Sequence, residues 1–195
     1  MNPAALLRPA NPAATALLNN AVKKNEVQTV QSLIGQGADV NAKNEHGWPP
    51  LALAASDGNV EVVRLLIQAG AAVDATEGEN GGTALFWAAF DGHPEVVKVL
   101  LDDKADPNSK SNNGTSPLMA TTLEHYPKTA TQESYVQVAE LLLAGGANVN
   151  ESDKAGMTPR GSAASNNFLK LANLLKQHGG KCTTSPGVVP HNCRD

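Results

Sequence analysis

No stretch of this 195-residue chain reaches the roughly 18 consecutive apolar residues that a membrane-spanning helix needs, so no transmembrane segment is predicted. Aromatic residues are scarce at 4%, although 41% of the chain is hydrophobic. A core is therefore expected, and it must be packed from Ala, Val and Leu. Basic residues are outnumbered and the net charge is −4, which removes the global basic footprint of a nucleic-acid-binding domain. Only two cysteines occur, Cys182 and Cys193, both close to the C-terminal end. Either they close a short loop in an oxidising compartment or they remain free thiols.

Signatures of catalysis and metal binding are equally sparse. His46, His93, His125, His178 and His191 fall far apart, with neither H-x-x-x-H nor C-x-x-C spacing. His191 lies near Cys193, but a nucleophile pair there lacks an orienting third group. Gly81-Gly82 is not followed by G-K-[ST], so it is no phosphate loop. No catalytic residue, metal site or cofactor is predicted.

What is present is repetition. Leu51, Leu85 and Leu118 recur at a spacing of about 33 residues. Ala54-Ala55 matches Ala88-Ala89, Val62-Val63 matches Val96-Val97, and Leu65-Leu66 matches Val99-Leu100. The ends recur as GADVN (37–41), KADPN (104–108) and GANVN (146–150). Thr83, Ser116 and Thr158 suit helix N-caps, and Pro117 and Pro159 suit the first helical position. The small Ala pairs let two helices approach closely. The Val and Leu spacing of the second segment is a buried helical stripe. Gly37, Gly70 and Gly146 suit left-handed C-caps, and Asn80-Gly81 and Asn113-Gly114 suit tight turns. Each copy reads as helix, turn, helix and a protruding hairpin.

These motifs resemble the ankyrin repeat, G-x-T-P-L-H-x-A-A followed by V-V-x-L-L and G-A-D-V-N. The resemblance covers about 12–181 and implies an all-α solenoid of stacked helix-turn-helix units joined by β-hairpin-like loops. The expected organisation is an N-terminal extension (1–11), repeats at about 12–44, 45–77, 78–111, 112–152 and 153–181, and a tail (182–195). This sequence departs from the family at the histidine slot, which holds Ala52, Phe86, Met119 and Gly161. Pro49 stands where the capping threonine belongs. The fourth repeat is about nine residues over the period, and the excess falls between its two helices, around 123–134. In the fifth, Arg160 takes the core Leu slot, as expected where the end of a stack meets water.

The resemblance implies a non-catalytic protein-binding module that uses a concave face and hairpin tips. An inhibitor or immunity protein for an effector enzyme is one specific form of it. The alternatives are a self-associating scaffold, or an enzyme built on the inserted loop or the tail. First-helix ends at Asp57, Phe90, Asp91, Leu123 and Glu124 are expected to face the partner. So are hairpin positions Glu45, His46, Trp48, Glu77, Glu79, Asn80, Lys110 and Asn112. Trp48 and Phe90 point outward, either as anchors or packed on a neighbouring hairpin and helix, whereas Trp87 is expected in the core. Tyr126 and Tyr135 flank the insertion as further exposed aromatics. Asp57, Asp91 and Glu124, with Glu45, Glu77 and Glu79, form either an acidic stripe for a basic patch on the partner or an ordinary solvated face. The unbound chain is expected to be a monomer that neither binds nucleic acid nor inserts in membranes. The N-terminal stretch lacks the charge-then-apolar order of a secretory signal. A cytoplasmic location is therefore expected, or a periplasmic or extracellular one if a leader has been removed.

Overall fold

The computed structural model describes residues 11–123, 130–183 and Cys193. The described residues contain ten helices and no strand. They form five pairs: α1 (Pro12–Lys23) with α2 (Val27–Gly35), α3 (Pro50–Ser56) with α4 (Val60–Gln68), α5 (Ala84–Phe90) with α6 (Pro94–Asp102), α7 (Pro117–Ala120) with α8 (Gln132–Ala144), and α9 (Pro159–Ser165) with α10 (Leu169–Gln177). First helices pack in one layer, α1 on α3, α3 on α5, α5 on α7 and α7 on α9. Second helices form the other, from α2 to α10. One hydrophobic cluster runs through all five pairs, because each pair covers its apolar side only against its neighbours.

Local chemistry starts and stops these helices. The hydroxyls of Thr83, Ser116 and Thr158 accept from the backbone N–H of Phe86, Met119 and Gly161. Asn11 does the same for α1 through Ala13 and Ala14. Pro49, with no side-chain acceptor, leaves α3 without a side-chain cap. Val62, Val63, Leu66, Val96, Val97 and Leu100 are fully buried, as their spacing predicts. Second helices end in a left-handed residue, Gly37, Gly70, Gly146 or Gly179, at φ between 80° and 93°. In the third repeat Lys104 holds that conformation at φ 68°, which is costly for a residue with a Cβ.

The connecting segments project without pairing as strands among the described residues. One polar side chain closes each turn. Asn44 Oδ1 accepts from the N–H groups of His46 (3.0 Å) and Trp48 (2.9 Å). Ser111 and Asp153 repeat that role for Thr115 and Met157. Below the turns runs a second ladder. Asn41, Asn108 and Asn150 each donate to the carbonyl ending a later helix and accept from a backbone N–H nearby. Asp74 takes the same place but only accepts, from the N–H of Asp106 at 3.1 Å, because a carboxylate has no donor to offer.

The fourth repeat differs at its first helix. α7 is only four residues long. The Ala pair of the second, third and fifth repeats is replaced by Thr121 and Thr122, both buried. Their hydroxyls donate to the carbonyls of Leu118 and Met119, 2.7 Å each, competing with helix propagation. The insertion does lie between the helices, but its last residues are helical. α8 begins at Gln132 behind a reciprocal capping box between Thr131 and Ser134.

The fifth repeat corrects an expectation. Arg160 does not face water: it is 5% exposed and donates from Nη1 to the Gly180 carbonyl at 3.2 Å. Residues 180–183 fold back across α9 as a strap. The N–H of Thr158 donates to the Thr183 carbonyl at 3.1 Å, and the N–H of Thr183 returns a bond to Thr158 Oγ1 at 3.1 Å. Gly161 makes room for the strap, since a Cβ there would overlap the Thr183 carbonyl oxygen. Within the strap, Cys182 is bonded to Cys193, with Cα atoms 5.8 Å apart.

Candidate functional site

Trp48, Phe86, Trp87 and Phe90, four of the seven aromatic residues, gather on the first-helix side of the second and third repeats. The Asn44 turn presents Trp48, whose ring lies 4.7 Å from that of Trp87, tilted by 39°. Trp87 meets Phe90 edge-on at 5.6 Å and Phe86 edge-on at 5.2 Å. Phe86 and Phe90, one helical turn apart, stack at 6.2 Å. Edge-to-face and offset contacts of this kind are the arrangements that ring quadrupoles favour. Phe86 is buried, while Trp48, Trp87 and Phe90 are half-buried.

Trp87 is thus half-buried, packed against the core from the surface strip and not enclosed within it. Phe86 takes the inward position beside it, in the slot that the family gives to histidine. Gly82 lets both rings close over the backbone: a Cβ there would sit 2.7 Å from Trp87 Nε1 and 2.8 Å from Phe86 Cδ1. The Trp87 indole N–H is buried and has no hydrogen-bond partner among the described residues. Two neighbouring aromatic residues in one seven-residue helix were the signal, because only one of them can point inward.

Three of the residues expected to face a partner are buried instead. Glu77 is 2% exposed and closes its own turn, accepting from the N–H groups of Glu79 (2.8 Å) and Asn80 and, at 3.5 Å, from that of Gly82. It stands at the phase of Asn44, Ser111 and Asp153, so the period itself marks it as structural. Its turn closes from 77 to 82, one residue longer than the turn from 44 to 48, which suits a longer side chain. Asp91 is 7% exposed and accepts from Ser56 Oγ at 2.7 Å. Tyr135 is 5% exposed; its ring stacks on Phe168 and its hydroxyl donates to the Phe90 carbonyl at 3.2 Å. It supports the strip from behind. Glu124 and Tyr126 lie outside the described residues.

The remaining positions are accessible. Glu45 and His46 sit together on the first turn, 3.5 Å apart. Glu79, Asn80 and Asn112 are exposed on adjacent turns, which Asn112 ties together by donating from Nδ2 to the Glu79 carbonyl at 2.9 Å. Lys110 is engaged by Glu151, whose carboxyl is held below the usual range first by that hydrogen bond. Leu123 is half-buried. Of the six acids considered for a stripe, Glu45, Asp57 and Glu79 are exposed. Burial of part of the Asp57 carboxyl, and then the Asp91 charge, push it above the ordinary range, while Lys23 and His93 pull it back. His93 itself bridges repeats, its Nε2 lying 2.8 Å from the Ser56 carbonyl.

The described residues place no three His, Cys, Asp or Glu where they could hold a metal ion together. None of their helices is long and apolar enough to cross a membrane.

Sequence comparison agrees with this architecture. The family profile of ankyrin repeats in three copies matches residues 18–111, and that of the single ankyrin repeat matches 113–154. Human protein phosphatase 1 regulatory subunit 27 is 41% identical over 66 residues, which is 34% of this chain and 43% of that protein. The bovine (Bos taurus) mitochondrial disaggregase is 36% identical over 156 residues, 80% of this chain and 22% of that protein. The chicken (Gallus gallus) nuclear factor NF-kappa-B p105 subunit is 29% identical over 165 residues, 83% of this chain and 16% of that protein. The chain thus spans less than half the length of these relatives. Five stacked helix pairs, threonine or serine caps ahead of α5, α7 and α9, and matching family profiles lead to one conclusion: this chain belongs to the ankyrin repeat family.

Proposed function

We propose that this chain is a non-catalytic module that binds another protein across its first-helix face, anchored by Trp48, Trp87 and Phe90. The observation that carries the proposal is this contiguous, half-covered aromatic strip on a rigid frame. Trp side chains dominate binding energy where a partner excludes water from them. Exposed Glu45, His46, Glu79, Asn80 and Asn112 supply a polar rim of the kind that surrounds such anchors.

An inhibitory or regulatory role is the finer form of this reading. Two relatives carry names of that kind, protein phosphatase 1 regulatory subunit 27 and the mouse RelA-associated inhibitor, which is 42% identical over 59 residues. An immunity protein for an effector enzyme would be such an inhibitor. The Cys182–Cys193 bond supports an oxidising compartment, periplasmic or extracellular, over the cytoplasm. The unbound chain is taken as a monomer, which light scattering at two concentrations checks.

The decisive experiment is affinity capture from the native host with the intact chain, beside Trp48→Ala and Phe90→Ala. Each substitution should weaken capture of the specific partner by about tenfold or more. Adding the intact chain to that partner should then reduce its activity. Equal capture by both variants removes the strip as the binding site.

A further inference from the structure

The aromatic strip ends against negative charge. Asp57 caps the C-terminus of α3 and Asp91 that of α5. The Ser56–Asp91 hydrogen bond draws the two helix ends together, and Phe90 immediately precedes Asp91. A helix C-terminus already carries partial negative charge, so each acid is unfavourably placed there, and the two also repel. Asp91 is buried under its hydrogen bonds, while Asp57 stays exposed. Among the described residues no side chain forms an ion pair with Asp57. Lys23 and His93 act on it only at a distance, and one His93 ring nitrogen is already held by the Ser56 carbonyl. At the other end of the strip stand exposed Glu45 and Glu79. Aromatic faces themselves attract cations.

We infer that the partner lays an extended segment along the strip, with an arginine at its Phe90 end that packs against the solvent-facing part of that half-buried ring and pairs with Asp57, and an apolar side chain against Trp48. This rests on the strip being the binding site, as proposed above. The centroid steps of 4.7 Å and 5.6 Å from Trp48 through Trp87 to Phe90 match about three residues of extended chain at roughly 3.3 Å each. Arginine suits the position better than lysine. Its planar guanidinium lies flat on a ring and still presents two parallel N–H groups to a carboxylate.

The test begins with selection of random peptides, roughly twelve residues long so that they overrun the strip, on the intact chain. Binding is then read by intrinsic fluorescence. The chain has two tryptophans and both lie in the strip, so the signal reports this site alone. Arginine should be enriched in the selected peptides. Replacing that arginine by neutral citrulline should weaken binding by about tenfold, and Asp57→Asn should do the same. Combining the two should add little more, because both changes remove one contact. Selected peptides without excess arginine, or citrulline peptides that bind equally well while Trp48→Ala still abolishes binding, overturn the arginine and leave the strip standing. Peptides indifferent to both Trp48→Ala and Phe90→Ala overturn the strip together with the arginine.

Discussion

Helices α5 and α9 are seven residues long, start from a capping threonine and occupy the same phase of the repeat. Yet α5, ALFWAAF, turns two large rings outward, while α9, PRGSAAS, buries an arginine, a glycine and a serine. The difference lies in what covers each. α5 has a repeat on either side, so its core slots are filled by hydrocarbon and its outward slots are left for other work. α9 has a neighbour on one side only. Its far side is closed by backbone, the 180–183 strap, and backbone demands polar partners and close approach. Arg160, Gly161 and Thr158 meet those demands. A degenerate repeat can therefore be a well-satisfied one, provided its irregular residues match an irregular neighbour.

That contrast can be broken at several points. The largest effect is expected at Phe86→Ala. This side chain fills the core slot of α5 and pins both Trp87 and Phe90, so its loss should cost about 3 kcal/mol, read as a lower urea midpoint. Next is Gly161→Ala, its counterpart in α9. A methyl group would displace the strap, and overpacking of this kind costs about 2 kcal/mol. Faster proteolysis at 180–183, ahead of global unfolding, would locate the damage. If Gly161→Ala were neutral, the strap would not be what closes the stack.

A smaller change sharpens the comparison in the opposite direction. The orderly middle of the chain has the weaker ladder, since Asp74 accepts one bond where Asn150, beside α9, makes two. Asp74→Asn should restore the missing donor and raise stability by about 1 kcal/mol. An unchanged unfolding midpoint would show that the carbonyl opposite is already satisfied.

The smallest effect is electrostatic. Asp57 has a raised native pKa, so the folded chain holds its proton to higher pH than the unfolded one. Stability should therefore fall as pH rises from the ordinary aspartate value, about 3.9, through the raised native one. Asp91, Lys23 and His93 are the charged groups acting on it. Asp57→Asn should remove this fall and leave the variant at least as stable as the parent at neutral pH, while α9, remote from these charges, reports no change. Urea titrations across the acid range check the sign.

Much of the architecture was legible in the residues. Thr83, Ser116 and Thr158 cap where their position indicates, and the insertion lies between the helices of the fourth repeat. Less of the candidate site was. Trp48 and Phe90 are half-open, as their slots imply, but Trp87 joins them only because Phe86 wins the inward position. Glu77 looked like a surface acid because its partners are backbone N–H groups; only its phase, shared with Asn44, Ser111 and Asp153, hinted at the turn-closing role. Tyr135 looked like a loop aromatic, but the start of α8 behind its capping box carries it under Phe90.

The sequence by itself determined the five-fold repetition, the helix starts and stops, and the apolar faces that force stacking. All of these follow from contacts between residues a few positions apart, which spacing records directly. Only the tertiary structure decided which acids stay in water, which rings remain uncovered and what closes the last repeat. Those outcomes depend on which distant segment returns to a given surface, and a carboxylate or a ring is chemically the same residue whether or not that segment arrives.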